Sequence, residues 1–114
     1  MKFYNKVTGD VGEIIAQKYL KKKKYRILET NFHSKIGEID IIAQKCEQIV
    51  FIEVKTRESL AFGQPSEAVD KHKQWKIHQV AEAYLIKNRI MDYPCRFDVI
   101  EILDGKLNHI ENAF

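Results

Sequence analysis

The 114-residue chain predicts an α/β fold: a mixed sheet flanked by helices, in the order α-β-β-β-α-β. Three observations carry that expectation. Two runs rich in isoleucine, valine and phenylalanine, at residues 36–45 and 48–55, are separated by a short polar break and read as a hairpin. Residues 66–88 then show apolar side chains at helical spacing, and another apolar run follows at residues 96–103. A helix linking two strands of one sheet makes them parallel, with a right-handed crossover. Strands that are apolar on both faces belong at the centre of such a sheet.

Each element has its own local signal. Residues 9–23 predict the first helix, with Asp10 as cap and Glu13 completing a capping box. Val11, Ile14, Ile15, Ala16, Tyr19 and Leu20 supply its apolar arc, and the lysines from Lys21 to Lys24 suit its C-terminus. Residues 25–32 read as the first strand, followed by the hairpin centred between Cys46 and Glu47. Gly63 and Pro65 punctuate a loop over residues 57–66. Ser66 is the expected cap of the long helix, which carries Val69, Lys73, Ile77, Val80, Ala81 and Tyr84 on one stripe. The Asp104-Gly105 pair marks a hairpin turn leading to a short final strand.

Composition bounds the function class. With 45% hydrophobic residues and neither repeats nor a Pro/Ser/Gly-rich linker, residues 1–114 are expected to form a single domain. No apolar run approaches a membrane span, and the N-terminal segment lacks the apolar region of a secretory signal. Cys46 and Cys95 match no metal spacing and no disulfide framework, so a reducing cytoplasm is the expected setting. The net charge of +3 is compatible with a polyanionic partner. No P-loop, zinc-finger, dinucleotide or nucleophile-elbow pattern is present.

The hairpin concentrates the candidate chemistry. Its apolar pattern selects a register in which Ile39 faces Val54, Ile41 faces Ile52 and Ala43 faces Val50 on one side. On the other side Glu38 faces Lys55, Asp40 faces Glu53 and Ile42 faces Phe51. Directly opposed like charges are destabilising, so Asp40 against Glu53 calls for a cation. Two carboxylates beside a lysine suit a hard ion, Mg2+ or Mn2+, that prefers oxygen ligands and retains water. A plainer reading makes these residues a solvated strand face with a Glu38–Lys55 ion pair.

Helix, acid-bearing hairpin, Glu53-Val54-Lys55 and crossover helix together resemble the PD-(D/E)XK nucleases of the restriction-endonuclease-like fold. More narrowly, the chain resembles the YraN family of small bacterial endonuclease-like proteins, related to archaeal Holliday junction resolvases. The matching segments are Gly9-Asp10-Val11-Gly12-Glu13, Gly37-Glu38-Ile39-Asp40-Ile41-Ile42, Phe51-Ile52-Glu53-Val54-Lys55-Thr56-Arg57, Glu67-Ala68-Val69 with Lys73, and Arg96-Phe97-Asp98-Val99-Ile100. Ile39 stands where the superfamily label has proline, as in resolvase-like members. The resemblance implies that Asp40 and Glu53, with the Val54 carbonyl, ligate the metal, and that Lys55 orients or activates the attacking water. It also implies that Glu13 reaches the site, while the capping box accounts for Glu13 equally well. Glu38 would steady Lys55 from across the hairpin.

Arg57 and Lys73, with Lys71 and Lys76, could flank the site and meet phosphates, or simply form a solvated face. Trp75 lies off the apolar stripe and could pack under the loop, join a dimer face or stack on a base. His33, His72, His78 and His109 show no ligand spacing, and Asp98 is expected to pair with a neighbouring base. The leading expectation is an Mg2+- or Mn2+-dependent endonuclease acting on DNA, branched DNA included. The alternative is a nucleic-acid-binding module on a nuclease fold, catalytically silent or active only in a complex. A structural interaction protein with relic acids is a third reading. Junction resolution would further require a homodimer.

Overall fold

The computed structural model describes residues 2–57 and 69–114, residues 2–10 by their backbone alone. Along the chain run α1 (Lys2–Lys22), β1 (Arg26–His33), β2 (Glu38–Lys45), β3 (Gln48–Arg57), α2 (Lys71–Lys87), β4 (Cys95–Leu103) and β5 (Lys106–Ile110). The five strands form one sheet in the order β1-β2-β3-β4-β5. As the crossover helix requires, β3 and β4 are parallel, and the other neighbours are antiparallel. The architecture is α/β and compatible with a restriction-endonuclease-like core. Among the described residues no helix is long and apolar enough to cross a membrane.

The central strand is the one whose sequence is apolar on both faces: Ile49, Val50, Phe51, Ile52 and Glu53 are all buried. One face packs with α1, where Ala16 and Leu20 join Ile41, Ala43, Val50, Ile52 and Ile100. The other packs with α2, where Ile77, Val80, Ala81 and Tyr84 join Phe32, Ile42, Phe51 and Val99. Full burial of side chains such as Leu20 and Phe51 stabilises by about 1.5–3 kcal/mol each. The two tight turns fall where expected. Cys46 (φ 55°) opens the loop between Lys45 and Gln48, and Asp104 (φ 50°) and Gly105 (φ 80°) both take the left-handed region that a type I′ turn demands.

Three expectations are corrected. First, α1 begins at Lys2 instead of Gly9, because residues 2–8 contain neither glycine nor proline to stop it. Asp10 is therefore inside the helix and cannot adopt the non-helical geometry of a cap, so the capping box is absent. Second, the N-cap of α2 is Asp70, whose carboxylate accepts from the Lys73 amide at 2.8 Å. Residues 69 and 70 are not helical, and Ser66 lies outside the described residues. Third, Ile39 leaves the face it was expected to share with Ile41 and joins the α2-side cluster with Phe32 and Val80. The start of β2 leans toward α2: a Cβ on Gly37 would lie 3.8 Å from Val80 Cγ2.

Candidate functional site

The lean of β2 opens the site. The β2–β3 ladder runs from Lys45↔Gln48 to Ile41↔Ile52 and stops there. Beyond that point β2 stays with β1 as far as His33↔Glu38, while β3 continues beside β4 as far as Arg57↔Leu103. The expected facing pairs Ile39/Val54, Asp40/Glu53 and Glu38/Lys55 therefore lie past the paired stretch. Two carboxylates held opposite each other on a ladder would repel at about 5 Å; the strands part before that pairing, although Glu53 still acts on Asp40. Asp40 instead turns its Oδ2 onto the Val54 amide at 2.8 Å, satisfying a donor that the ladder no longer serves.

Between the parted strands lies a cleft of about 440 Å³, to which Glu13 of α1, Glu38 and Asp40 of β2, Glu53 of β3, and Lys73 and Lys76 of α2 all contribute. Asp40 and Glu53 are each only 9% exposed. Lys73 Nζ sits 2.8 Å from Glu53 Oε2, a charge-assisted contact. Burial and the nearby negative charge of Glu53, with smaller contributions from Glu13 and Glu38, push the Asp40 carboxyl up to about 7, against the pull of the Val54 amide. Burial disfavours the Lys73 ammonium, but its bond to Glu53 and the charges of Asp40 and Asp70 outweigh that, and its pKa is raised. The cleft is short of positive charge at Asp40 and supplied with it at Glu53.

The residues singled out from the sequence are sorted by this geometry. Glu13 lines the cleft, and with the capping box gone its place is explained by packing. Gly12 brings α1 so close to β3 that a Cβ there would meet Thr56 Oγ1 at 2.1 Å, and the next residue, Glu13, shares the cleft with the acids. Glu38 lines the cleft but pairs with His33 at 2.8 Å, because β1 is its ladder partner where β3 has departed. Val54 contributes its amide and lines the cleft. Lys55 and Arg57 are on β3 beyond Glu53 and are not among the cleft-lining residues. Lys55 is in register with the buried Glu101 of β4.

Sequence reasoning left the pairing of Lys73 with Glu53 unfound, although a signal existed. Lys73 occupies the apolar stripe four residues before Ile77, so its stem follows the buried face of α2 toward β3. Thr56 also lines the cleft without having been singled out, and Lys76, expected to flank the site, is among the lining residues. Trp75 is 55% exposed and stacks with His72 at 6.4 Å.

Asp98 meets its expected base, but in a fuller network. It is 0% exposed and accepts from Arg96 Nε and Nη2 at 2.9 and 2.8 Å and from the Asn112 amide at 2.9 Å. His109 Nε2 lies 2.7 Å from it, and the other ring nitrogen meets Tyr19 Oη at 2.9 Å. Burial alone would raise the Asp98 carboxyl, but His109, Arg96 and the Asn112 amide hold it below its ordinary value. Every buried polar atom of this network has a partner, which marks it as structural.

Among the described residues no group of three or more His, Cys, Asp or Glu side chains is disposed to hold a metal ion. The donor set that could do so is Asp40 and Glu53. Two carboxylates suit Mg2+, which commonly takes one or two from the protein and keeps water or substrate oxygens for the rest. The elevated Asp40 carboxyl is the physical sign that the cleft would accept further positive charge.

The description "Uncharacterised protein family UPF0102" matches residues 12–102. A UPF0102 protein of Caldanaerobacter subterraneus subsp. tengcongensis is 55% identical over 122 aligned positions, covering 100% of both chains. Similar proteins of the same description occur in Alkaliphilus oremlandii, 53% identical across 96% of this chain and 99% of that one, and in Clostridioides difficile, 51% identical across 96% and 98%.

Proposed function

This chain belongs to the uncharacterised protein family UPF0102, the YraN family, and we propose that it is a metal-dependent endonuclease that hydrolyses phosphodiester bonds in DNA, branched DNA included. The observation that carries the reading is the pair Asp40 and Glu53, each 9% exposed, gathered with Glu13 in one cleft where two strands part. Burying acids together costs free energy unless a cation compensates. Asp40 and Glu53 would hold the ion, with the Val54 carbonyl as a further oxygen donor. When bound, Mg2+ or Mn2+ supplies Lewis acidity toward a phosphate oxygen and lowers the pKa of a ligated water.

The remaining work falls to the chain. Glu13, which lines the cleft beside the acids, accepts a hydrogen bond from the attacking water. Lys76 offers positive charge to non-bridging phosphate oxygens at the mouth of the cleft. Lys55, two residues beyond Glu53 on the same face of β3, supplies the charge that the Glu-x-Lys resemblance assigns to it. A second reading, a DNA-binding module without catalysis, draws on one observation: Lys73 already neutralises Glu53 at 2.8 Å.

Purified protein incubated with linear, nicked and four-way-junction DNA, with and without Mn2+, separates the two. The endonuclease reading expects metal-dependent cleavage that disappears in Asp40→Asn, Glu53→Gln and Lys55→Ala. If the wild type binds DNA yet cuts no more than these variants, the binding module is the correct reading.

A further inference from the structure

Lys73 is built into the cleft more firmly than a surface lysine. Asp70 caps α2 through the Lys73 amide at 2.8 Å, which fixes the base of the side chain. Ile77, one turn on, is buried against the sheet, which fixes the face of the helix from which that side chain leaves. The ammonium ends 2.8 Å from Glu53 Oε2, while the side chain as a whole is still 48% exposed and that of Glu53 only 10%. One end of the pair is anchored, and the other has open space into which to swing.

The opposite acid is engaged differently. Asp40 gives one carboxylate oxygen to the Val54 amide, so its contact is with the backbone and places no cation in the cleft. An ion bridging Asp40 and Glu53 would have to take up Glu53 oxygen, and there it meets an ammonium. A divalent cation and an ammonium on one carboxylate repel at about 4 Å, in a cleft where the effective dielectric is well below that of water. The two cannot both sit at contact distance on Glu53 without a cost that moving the lysine outward removes.

We propose that Lys73 is a displaceable internal counter-ion: it neutralises Glu53 while the metal is absent and must leave Glu53 for the metal to bind. This rests on the reading of Asp40 and Glu53 as metal ligands. Its consequence is that Lys73 weakens metal affinity while stabilising the metal-free fold. A lysine serving only as a phosphate contact or a helix-surface charge would do neither.

The test is an Mn2+ titration of the full chain by calorimetry, for the wild type, Lys73→Met and Lys73→Arg, with metal-free unfolding followed in parallel. Lys73→Met is expected to bind Mn2+ at least about tenfold more tightly than the wild type, to unfold more readily without metal, and to gain more from added Mn2+. Lys73→Arg, which keeps a permanent cation on Glu53, is expected to bind no more tightly than the wild type. Equal or weaker Mn2+ binding by Lys73→Met overturns the proposal and leaves the metal site standing. If none of the three proteins binds Mn2+, the proposal and the metal-ligand reading fall together.

Discussion

Replacing Asp40 with asparagine removes a charge that the metal-free fold holds at a loss. The carboxyl is raised from 3.8 to about 7 by burial and by Glu53, with Glu13 and Glu38 adding to it. Below the unfolded value both states carry the proton, and the folded protein pays nothing. As pH rises from about 4 to about 7 the unfolded chain ionises first, so the native state binds more protons and stability falls through that window. Above the folded value the loss is complete. At roughly 1.4 kcal/mol per pH unit, the interval from 3.8 to about 7 corresponds to about 4 kcal/mol, an upper bound because water at the open side of the cleft screens the charge. Asparagine keeps an oxygen for the Val54 amide, so little else is lost. Urea unfolding of wild type and Asp40→Asn in chelator, across about pH 4 to 8, reads the difference directly. The variant is expected to be about 2–4 kcal/mol more stable at the alkaline end and equal to the wild type at the acid end. A variant no more stable than the wild type at about pH 8 would refute the reasoning.

Two other perturbations test how the cleft and the fold are held. Gly12→Ala places a Cβ 2.1 Å from Thr56 Oγ1 and is expected to cost about 1–3 kcal/mol through overpacking. Adding Thr56→Ala should recover part of that, so additive losses in a double-mutant cycle would count against the contact. Asp98→Asn leaves the Arg96 guanidinium and His109 without their carboxylate and is expected to cost about 3–5 kcal/mol in thermal or urea unfolding. Because the Asp98 carboxyl is held low, the wild type should lose this contribution only as pH falls below the ordinary carboxylate range, and the variant should show no such loss.

Much of the fold was legible because it depends on local patterning. Alternation and apolar runs gave the hairpin, its turn and its register from Ile41↔Ile52 to Ala43↔Val50, since a one-residue slip would set the carboxylates opposite core aliphatics. Helical spacing after a strand gave the parallel β3–β4 pair. The start of α1 at Lys2 is not legible from a capping-box pattern, which is only a local preference, and nothing before it stops a helix. Asp70, the cap that α2 uses, was as visible as Ser66 but lay inside the assumed helical stripe.

By itself the sequence determined that two acids would sit in apolar strands of one hairpin, because charge in such runs demands a common solution. Only the tertiary structure decided what that solution is in the metal-free chain. Ladder arithmetic carried Asp40 and Glu53 into direct opposition, but β2 follows β1 toward α2 while β3 follows β4, and the two part before the acids meet. The cation at Glu53 then comes from Lys73, twenty residues further along and on another element. A helix stripe shows which way a lysine faces, but which carboxylate it reaches depends on how helix and sheet dock, a long-range packing result that no local pattern encodes.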